Sequence, residues 1–209
     1  MMIARRPLLG ILLGCAIGWA APAGAAGDPA TDPGAFVTNL GEKALAEIKK
    51  NASSRAQMEA NFQQLLEQYF DVPSISRFVL ARYWKVATDA EKAEFTKLFE
   101  RYVVQSYATR FSEYSGETFQ VKDIARNQPD AGYDTVRSII VRPGEENVRA
   151  EWVLRSTGGQ LRIVDVKIEG ISMVQTYRNE FASVIQNGGG KVAALNEALK
   201  KKIAQGQAS

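Results

Sequence analysis

The spacing of apolar residues changes twice along this chain, from helical to alternating and back to helical. Apolar residues recur every three or four positions over residues 33–114, alternate over 118–169, and return to helical spacing over 172–205. The first spacing is typical of an amphipathic helix, and strict alternation is typical of a strand with one buried face. The order predicts an α+β fold in which helices pack on a mainly antiparallel sheet of about four strands.

Local start signals divide the two helical regions into six predicted helices. Pro33 suits the first turn of a helix, because proline has no N–H to satisfy there. Serine or threonine followed three residues later by glutamine or glutamate forms a capping box, which satisfies two free backbone N–H groups. This spacing begins at Ser54, Thr88 and Ser172. The predicted helices cover about residues 33–50, 54–69, 73–82, 88–114, 172–187 and 191–204.

Four predicted strands are marked by alternating residues between the two helical regions. Their alternating members are Phe119 and Val121; Val136, Ser138 and Ile140; Val148, Ala150, Trp152 and Leu154; and Val164, Val166 and Ile168. Turn-forming segments separate them at Asp130-Ala131-Gly132, Pro143-Gly144 and Thr157-Gly158-Gly159. These connections are short enough for an antiparallel meander.

The last predicted strand and the helix after it are joined at Gly170. The strand places Val164, Val166 and Ile168 on one face. The helix carries an apolar stripe formed by Val174, Tyr177, Phe181, Val184 and Ile185. Two apolar faces joined by one glycine are expected to fold over an apolar interior. The residues alone leave open whether that interior is packed core or bound cargo.

The first 25 residues have the pattern of a secretory signal peptide. Two arginines precede an apolar run over residues 8–21, and Ala23-Gly24-Ala25 supplies the small residues that a signal peptidase requires. The run is shorter than the roughly 20 residues of a membrane-spanning helix. A twin-arginine signal and a lipoprotein acylated at Cys15 are the alternatives. We expect cleavage near residue 25 and a single domain over residues 26–209.

The predicted mature chain contains neither cysteine nor histidine, because Cys15 lies in the signal sequence. This composition excludes disulfides, thiol nucleophiles, Ser–His triads and nearly all zinc sites. Removal of the two arginines reduces the 26 basic residues to 24, against 23 acidic ones, which leaves a net charge of about +1. A charge so balanced gives no reason to expect a nucleic-acid partner.

Two blocks of residues carry a resemblance to a known family. The first is Leu80-Ala81-Arg82-Tyr83-Trp84, followed by Ala87-Thr88-Asp89-Ala90-Glu91, Phe95, Leu98-Phe99 and Tyr107-Ala108. The second runs from Asp165 to Phe181, and Val136-Arg137-Ser138 and Gly188-Gly189-Gly190 extend the likeness over about residues 36–203. Together they resemble the MlaC-type family of periplasmic lipid-binding proteins, also called toluene-tolerance auxiliary components of ABC transport systems. Many relatives have tryptophan at the position of Leu161, so this chain is expected to differ from them in its local packing there.

The resemblance implies an apolar lipid cavity and a carrier that shuttles phospholipid between the outer membrane and an inner-membrane ABC transporter. The implied partners are a phospholipid or other two-tailed lipid, the ABC transporter complex and an outer-membrane lipoprotein complex. No cofactor, metal or catalytic residue is implied. The residues implied to contact lipid are Val79, Tyr83, Trp84, Phe99, Tyr102, Val103, Tyr107, Val136, Ile140, Trp152, Leu154, Val164, Val166, Ile168, Met173, Val174, Tyr177 and Phe181.

Spacing alone supports simpler interpretations of some of these residues. The aromatic stripe that includes Phe99, Tyr102 and Tyr107 is by itself typical of a packed core, and only the resemblance assigns it to a cavity wall. Asp165 and Glu169 lie four residues apart on a predicted strand, a separation of about 13 Å at about 3.3 Å per residue. A glycosidase pair requires about 5–9.5 Å. We therefore expect Asp165 to form an ion pair with an arginine such as Arg137 or Arg149.

Three classes of function are compatible with the sequence. A lipid carrier is favoured, because moving an acyl chain from a bilayer to an equally apolar interior requires no catalyst. The cargo is a phospholipid, or alternatively a hopanoid or another membrane lipid. The second class is an enzyme that acts on a small hydrophobic substrate with an aspartate or glutamate base. The third is a chaperone-like module that binds apolar segments of exported proteins.

Overall fold

The computed structural model describes residues 28–51, 54–111, 116–126 and 132–207. The helices in this part of the chain are α1 Pro33–Asn51, α2 Arg55–Tyr69, α3 Val72–Leu80, α4 Asp89–Phe111, α5 Met173–Asn187 and α6 Val192–Gln207, and a 3-10 helix spans Ala81–Lys85. The strands are β1 Thr118–Arg126, β2 Tyr133–Val141, β3 Val148–Thr157, β4 Gln160–Ile168 and β5 Ile171–Ser172. This order confirms the predicted α+β fold. The predicted signal peptide, the turn at 130–131 and the helix end at residue 114 lie outside the described residues.

Side-chain caps are present at the three helix starts that the sequence predicted from Ser54, Thr88 and Ser172. At α4 the capping box is complete: Thr88 Oγ1 accepts a hydrogen bond from the Glu91 N–H at 3.2 Å, and the Glu91 carboxylate accepts one from the Thr88 N–H at 2.8 Å. At α2 and α5 only the serine half forms. Ser54 and Ser172 accept from the backbone three residues on, but the glutamine side chains donate to an asparagine one turn further along. Both serines still define the helix starts that the sequence predicted.

The sheet is an antiparallel meander in the order β1-β2-β3-β4-β5. A bulge in β4 shifts its alternation: pairing with β3 slips between Ile163 and Asp165, which leaves Val164 outside the register. Ile163 lies on the buried face, and beyond the bulge Val166 and Ile168 also lie on that face. The predicted row of residues 164, 166 and 168 is therefore wrong at its first member, because one extra residue in a strand reverses which side chains point inward.

A two-residue turn reverses the chain after β4, where the sequence predicted a single glycine junction. Glu169 and Gly170 have φ values of +49° and +81°, and positive φ at both central residues is what a type I′ hairpin turn requires. Ile168 then pairs with Ile171, and Lys167 pairs with Ser172. The short β5 leads directly into α5, so the turn places the first residues of α5 beside the end of β4.

Two large apolar cores, and a smaller cluster of Leu66, Val72 and Val104, stabilise the domain. The first lies between the sheet and helices α1 and α2, and contains Phe36, Val37, Leu40, Leu65, Tyr69, Val136, Leu154, Leu161 and Ile163. The second is formed by the other helices and includes Val79, Tyr83, Phe95, Phe99, Phe181, Ile185, Leu195 and Leu199. Phe70, just after α2, packs against both cores and pairs with Ile163 through its backbone. The two cores therefore meet at Phe70.

The other face of the sheet is charged. Arg137 on β2 contacts Asp123 of β1 at 3.0 Å and Glu151 of β3 at 3.5 Å, and Lys167 of β4 contacts Glu151 at 3.7 Å. Exposed pairs of this kind contribute little to stability one by one. The row of alternating charges nevertheless identifies this face as the solvated one, so the apolar interior lies on the opposite face.

Asp165 does not form the predicted ion pair with Arg137 or Arg149. Arg137 belongs to the charged row on the outer face, and Arg149 contacts Glu169 at 2.7 Å. The Asp165 carboxylate instead accepts a hydrogen bond from the Val174 N–H at 3.2 Å. Backbone N–H groups in the first turn of a helix have no partner within that helix, so a carboxylate is favourable there. Asp165 thus anchors the start of α5 to β4.

Gly41→Ala should lower the free energy of unfolding by about 1–2 kcal/mol, because overpacking outweighs the better helix propensity of alanine. A Cβ atom at Gly41 would lie 2.3 Å from the ring of Phe119, so either this ring or α1 would have to shift. The control is Gly206→Ala in α6, where the nearest atom to a new Cβ is 3.4 Å away. Denaturant unfolding of both variants measures the difference. Equal stability would show that this contact does not hold α1 against the sheet.

Candidate functional site

An apolar cavity of about 580 Å³ lies between the sheet and helices α1, α2, α4 and α5. The inner face of the sheet serves two purposes along its length. On β2, Val136 is fully buried in the first core while Ile140 lines the cavity. On β3, Leu154 is in that core while Trp152 lines the cavity. The helices thus cover one half of the inner face and leave the other half as a cavity wall.

Trp152 is the largest side chain on the sheet side of the cavity. Its indole Nε1–H donates to Ser138 Oγ at 2.9 Å, so its polar atom is satisfied by the neighbouring strand. Its ring meets the ring of Phe119 edge to face, with the centroids 6.0 Å apart. The hydrogen bond and the aromatic contact together fix the orientation of the indole. The sheet therefore presents a rigid aromatic wall.

Aromatic residues of α4 and α5 form the opposite wall. Phe99 and Tyr177 pack edge to face at 5.3 Å, and Tyr107 stacks on Phe62 of α2 at 6.1 Å. Burial, together with the adjacent hydroxyls of Tyr107 and Tyr102, raises the pKa of Tyr177 well above its ordinary value. Its phenol is therefore neutral over the physiological pH range and supplies no base. This wall offers aromatic surface and weak hydrogen-bonding groups.

Charged residues gather at one end of the cavity, where β1 and β3 begin and β2 ends. Glu117, Arg142 and Glu145 line this end. The side chain of Arg142 is 35% exposed and that of Glu145 is 63% exposed, and Arg142 Nη1 lies 2.6 Å from Glu145 Oε2. The opposite end is closed by Phe70 and buried residues such as Ile75. The cavity thus has a polar mouth and an apolar floor.

Glu100 is an acidic residue within the helical wall. One of its carboxyl oxygens is buried and has no hydrogen-bond partner among the described residues. Burial raises the pKa of Glu100, and the nearby carboxyl of Glu67, with which it shares a hydrogen bond, raises it further. Both effects favour the protonated, neutral form of the Glu100 carboxyl. This part of the wall is therefore less polar than its residue types suggest.

The structure brings together ten of the eighteen residues predicted to contact lipid. Those that line the cavity are Phe99, Val103, Tyr107, Ile140, Trp152, Val166, Ile168, Met173, Val174 and Tyr177. Val136 and Leu154 lie in the first core, and Val79, Tyr83 and Phe181 lie in the second. Trp84 and Tyr102 pack against the second core from its edge, and Val164 lies at the β4 bulge. Lipid contact by the ten cavity residues stays a prediction.

Sequence reasoning missed the wall contributed by α1, α2 and the segment that follows α2. These cavity residues are Leu40, Gly41, Ala44, Leu45, Ile48, Phe62, Leu65, Leu66, Phe70, Val72 and Ile75. The four-residue spacing of Leu40, Ala44 and Ile48 was a signal for one apolar face of α1. Nothing in that spacing indicated which part of the face would meet the sheet and which part would face open space.

Asp165 and Glu169, the two acidic residues considered as an acid/base pair, are both engaged in structural contacts. Asp165 is bound to the start of α5, and Glu169 is bound to Arg149. The described residues contain no cluster of three or more carboxylate, histidine or cysteine side chains suited to a metal ion. None of the described helices is both long enough and apolar enough to cross a bilayer.

Glu100→Gln should raise the melting temperature at about pH 8 and change it little at about pH 4. The pKa of Glu100 is raised in the folded protein, so the protonated form is favoured. The contribution of this raised pKa to the stability of the folded protein is fully present below the unfolded pKa and is lost as the pH rises through the folded pKa. Glutamine resembles the protonated form and removes that loss. Glu42→Gln, at an exposed position of α1, is the control. An effect of equal size at both pH values would contradict this assignment.

Comparison with known proteins agrees with the sequence resemblance. The profile of the MlaC protein family matches residues 38–201. The toluene tolerance protein ttg2D of Pseudomonas putida is 24% identical over 131 residues, which are 60% of this chain and 58% of that protein. The solved structure of a phospholipid-binding protein from Ralstonia solanacearum, in complex with a phospholipid, superposes with a TM-score of 0.74 at 26% identity. That match covers 84% of this chain and 99% of the other. The chain belongs to the MlaC protein family.

Proposed function

We propose that this protein is a periplasmic carrier that binds phospholipid by its acyl chains and shuttles it between the outer membrane and an inner-membrane ABC transporter. The observation that carries the proposal is the cavity of about 580 Å³, apolar along its walls and charged at its mouth. An amphiphile matches this cavity, because its apolar tails fit the apolar walls and its polar headgroup fits the charged mouth. The phospholipid complex of the Ralstonia solanacearum relative supports this choice of ligand.

The energetics of tail transfer explain why such a carrier needs only a cavity. Each buried methylene contributes about 0.8 kcal/mol, so a two-tailed lipid does not cross an aqueous compartment unaided. Transfer of the tails from the bilayer interior to the aromatic and aliphatic walls of the cavity changes their free energy little. The headgroup stays at the mouth, where Glu117, Arg142 and Glu145 are accessible to water. The protein therefore acts by solvation, and we propose no catalytic step for it.

The compartment and the partners belong to the same proposal. The signal-peptide pattern of residues 1–25 supports export to the periplasm. The two partners that we propose, an outer-membrane lipoprotein complex and an inner-membrane ABC transporter, are those that the resemblance to the MlaC-type family implies. The match to the toluene tolerance protein ttg2D supports a role in toluene tolerance, and we propose that this role is to maintain the lipid asymmetry of the outer membrane.

Ile140→Trp should fold and lose more than half of its bound lipid. Ile140 lines the cavity, and a larger side chain there would fill the space that the tails require. The matched control is Ile139→Trp, one residue earlier on β2 and on the opposite face of the sheet. Native mass spectrometry of gently purified proteins measures the bound lipid and its mass. A normal lipid load in folded Ile140→Trp would contradict the assignment of the cavity.

The same spectra separate the alternatives. A bound hopanoid or another lipid has a mass different from that of a phospholipid and would change the cargo without changing the mechanism. An enzyme would convert its lipid. Product masses that appear with the wild type and disappear with Asp165→Asn would therefore show that the protein is a catalyst and not a carrier. Phospholipid recovered intact from the wild type and from Asp165→Asn is the expected result.

Removal of the lipid should lower the melting temperature by well over about 5 °C, which for a domain of this size corresponds to about 2 kcal/mol. A dry, empty cavity of 580 Å³ would cost about 14 kcal/mol, at about 24 cal/mol per Å³. Ordinary domains have a total stability of about 5–15 kcal/mol, so the empty cavity must close or take up water. We expect faster hydrogen exchange over residues 165–181, and reloading with phospholipid should reverse both effects. Identical melting and exchange with and without lipid would contradict a lipid-supported interior.

A further inference from the structure

The mouth of the cavity has an unequal set of charges. Arg142 is the one positively charged side chain among the described residues that line the cavity. Glu117 and Glu145 line the same end, so carboxylates outnumber the cation there. Among the described residues of the mouth, a phosphate group therefore has one cation to bind. Any further negative charge on the ligand would face carboxylates.

The geometry of Arg142 holds its guanidinium in place. Its Nε and Nη2 donate to the carbonyl oxygen of Glu146 at 2.9 and 2.8 Å, and its Nη1 lies 2.6 Å from Glu145 Oε2. A guanidinium has five N–H donors, so these contacts leave two for another acceptor. The turn between β2 and β3 thus pre-orients a cation that can bind a phosphate oxygen while it remains attached to the turn.

Glu145 is placed to bind a positive group beside that phosphate. Its side chain is 63% exposed and lies at the mouth next to Arg142. In a zwitterionic phospholipid the ammonium group follows the phosphate on a short linker. A phosphate on Arg142 therefore brings the ammonium to the carboxylate side of the mouth. An anionic phospholipid with a neutral polyol in place of the amine lacks this second contact.

We propose that this mouth selects phospholipids with a zwitterionic, amine-bearing headgroup, with the phosphate on Arg142 and the ammonium on Glu145. The inference rests on the proposed lipid-carrier function and adds a headgroup preference to it. Because both side chains are partly exposed, the preference is moderate and falls as salt screens the charges.

The first test is a competition between two headgroups on identical tails. The protein is incubated with vesicles of equal phosphatidylethanolamine and phosphatidylglycerol content, and native mass spectrometry measures the two bound lipids. We expect the amine-bearing lipid to be enriched about two- to fivefold, the range that a partly exposed ion pair provides. Glu145→Gln should bring the ratio close to one, and Glu145→Lys should favour phosphatidylglycerol. High salt should reduce the wild-type enrichment.

The matched control is Glu146→Gln, which removes the same charge from the adjacent residue of the same turn. Glu146 is exposed, and its side chain is not part of the cavity wall. The ratio of phosphatidylethanolamine to phosphatidylglycerol bound by Glu146→Gln should stay near that of the wild type. A wild-type ratio of one, or equal effects of the two glutamine variants, would overturn the headgroup proposal and leave the carrier intact. Failure to load either lipid would overturn the carrier function itself.

The second test isolates the contact between Arg142 and the phosphate. Arg142→Gln should load phosphatidylethanolamine several-fold less than the wild type does, because the phosphate loses its cation. Loading of diacylglycerol, which has the same tails without the phosphate, should be unchanged. This comparison separates a lost headgroup contact from a misfolded cavity. Equal loss of both lipids, or of neither, would show that Arg142 does not bind the phosphate.

Discussion

The structure depends on an apolar sheet face that its own helices cover only in part. Apolar surface left in water costs about 25 cal/mol per Å², so the uncovered half must be buried by other means. Helices α4 and α5 stand across the gap, and Phe99 belongs both to their core and to the cavity wall. The hydrogen bond from the Val174 N–H to Asp165 joins this far wall to the sheet. The cavity is the space left between the two large apolar cores, which meet at Phe70.

Local chemistry made most of the secondary structure predictable. The capping box at Thr88, the serine caps at Ser54 and Ser172 and the proline near the start of α1 each fix a helix end through contacts within one turn. Alternation identified the four long strands, because a half-buried sheet face imposes a period of two. The family likeness was also readable, since residues 80–108 and 165–181 match in type as well as in spacing.

The parts that could not be predicted depend on long-range packing. The bulge at Val164 changes the inward row by one residue, and no residue type at that position signals it. Both Val136 and Ile140 point inward from β2, yet only the placement of α1 decides that the first is core and the second is cavity wall. The same contact decides which residues of α1 reach the cavity. The charged mouth was equally hidden, because Glu117 is far along the chain from Arg142 and Glu145, and only the pairing of β1 with β2 brings them to the same end of the cavity.

Phe70 gives the cavity one fixed end. It packs against both cores, its backbone is paired with Ile163, and its side chain forms part of the floor. The chain cannot deepen the cavity there without separating the two cores, whereas the opposite end is bordered by exposed turns. The end of a bound acyl chain would therefore rest against the floor, and the depth of the cavity would limit how much of the chain is enclosed. Tails longer than this depth would raise the headgroup away from Arg142, so tail length and headgroup recognition are set by the same dimension.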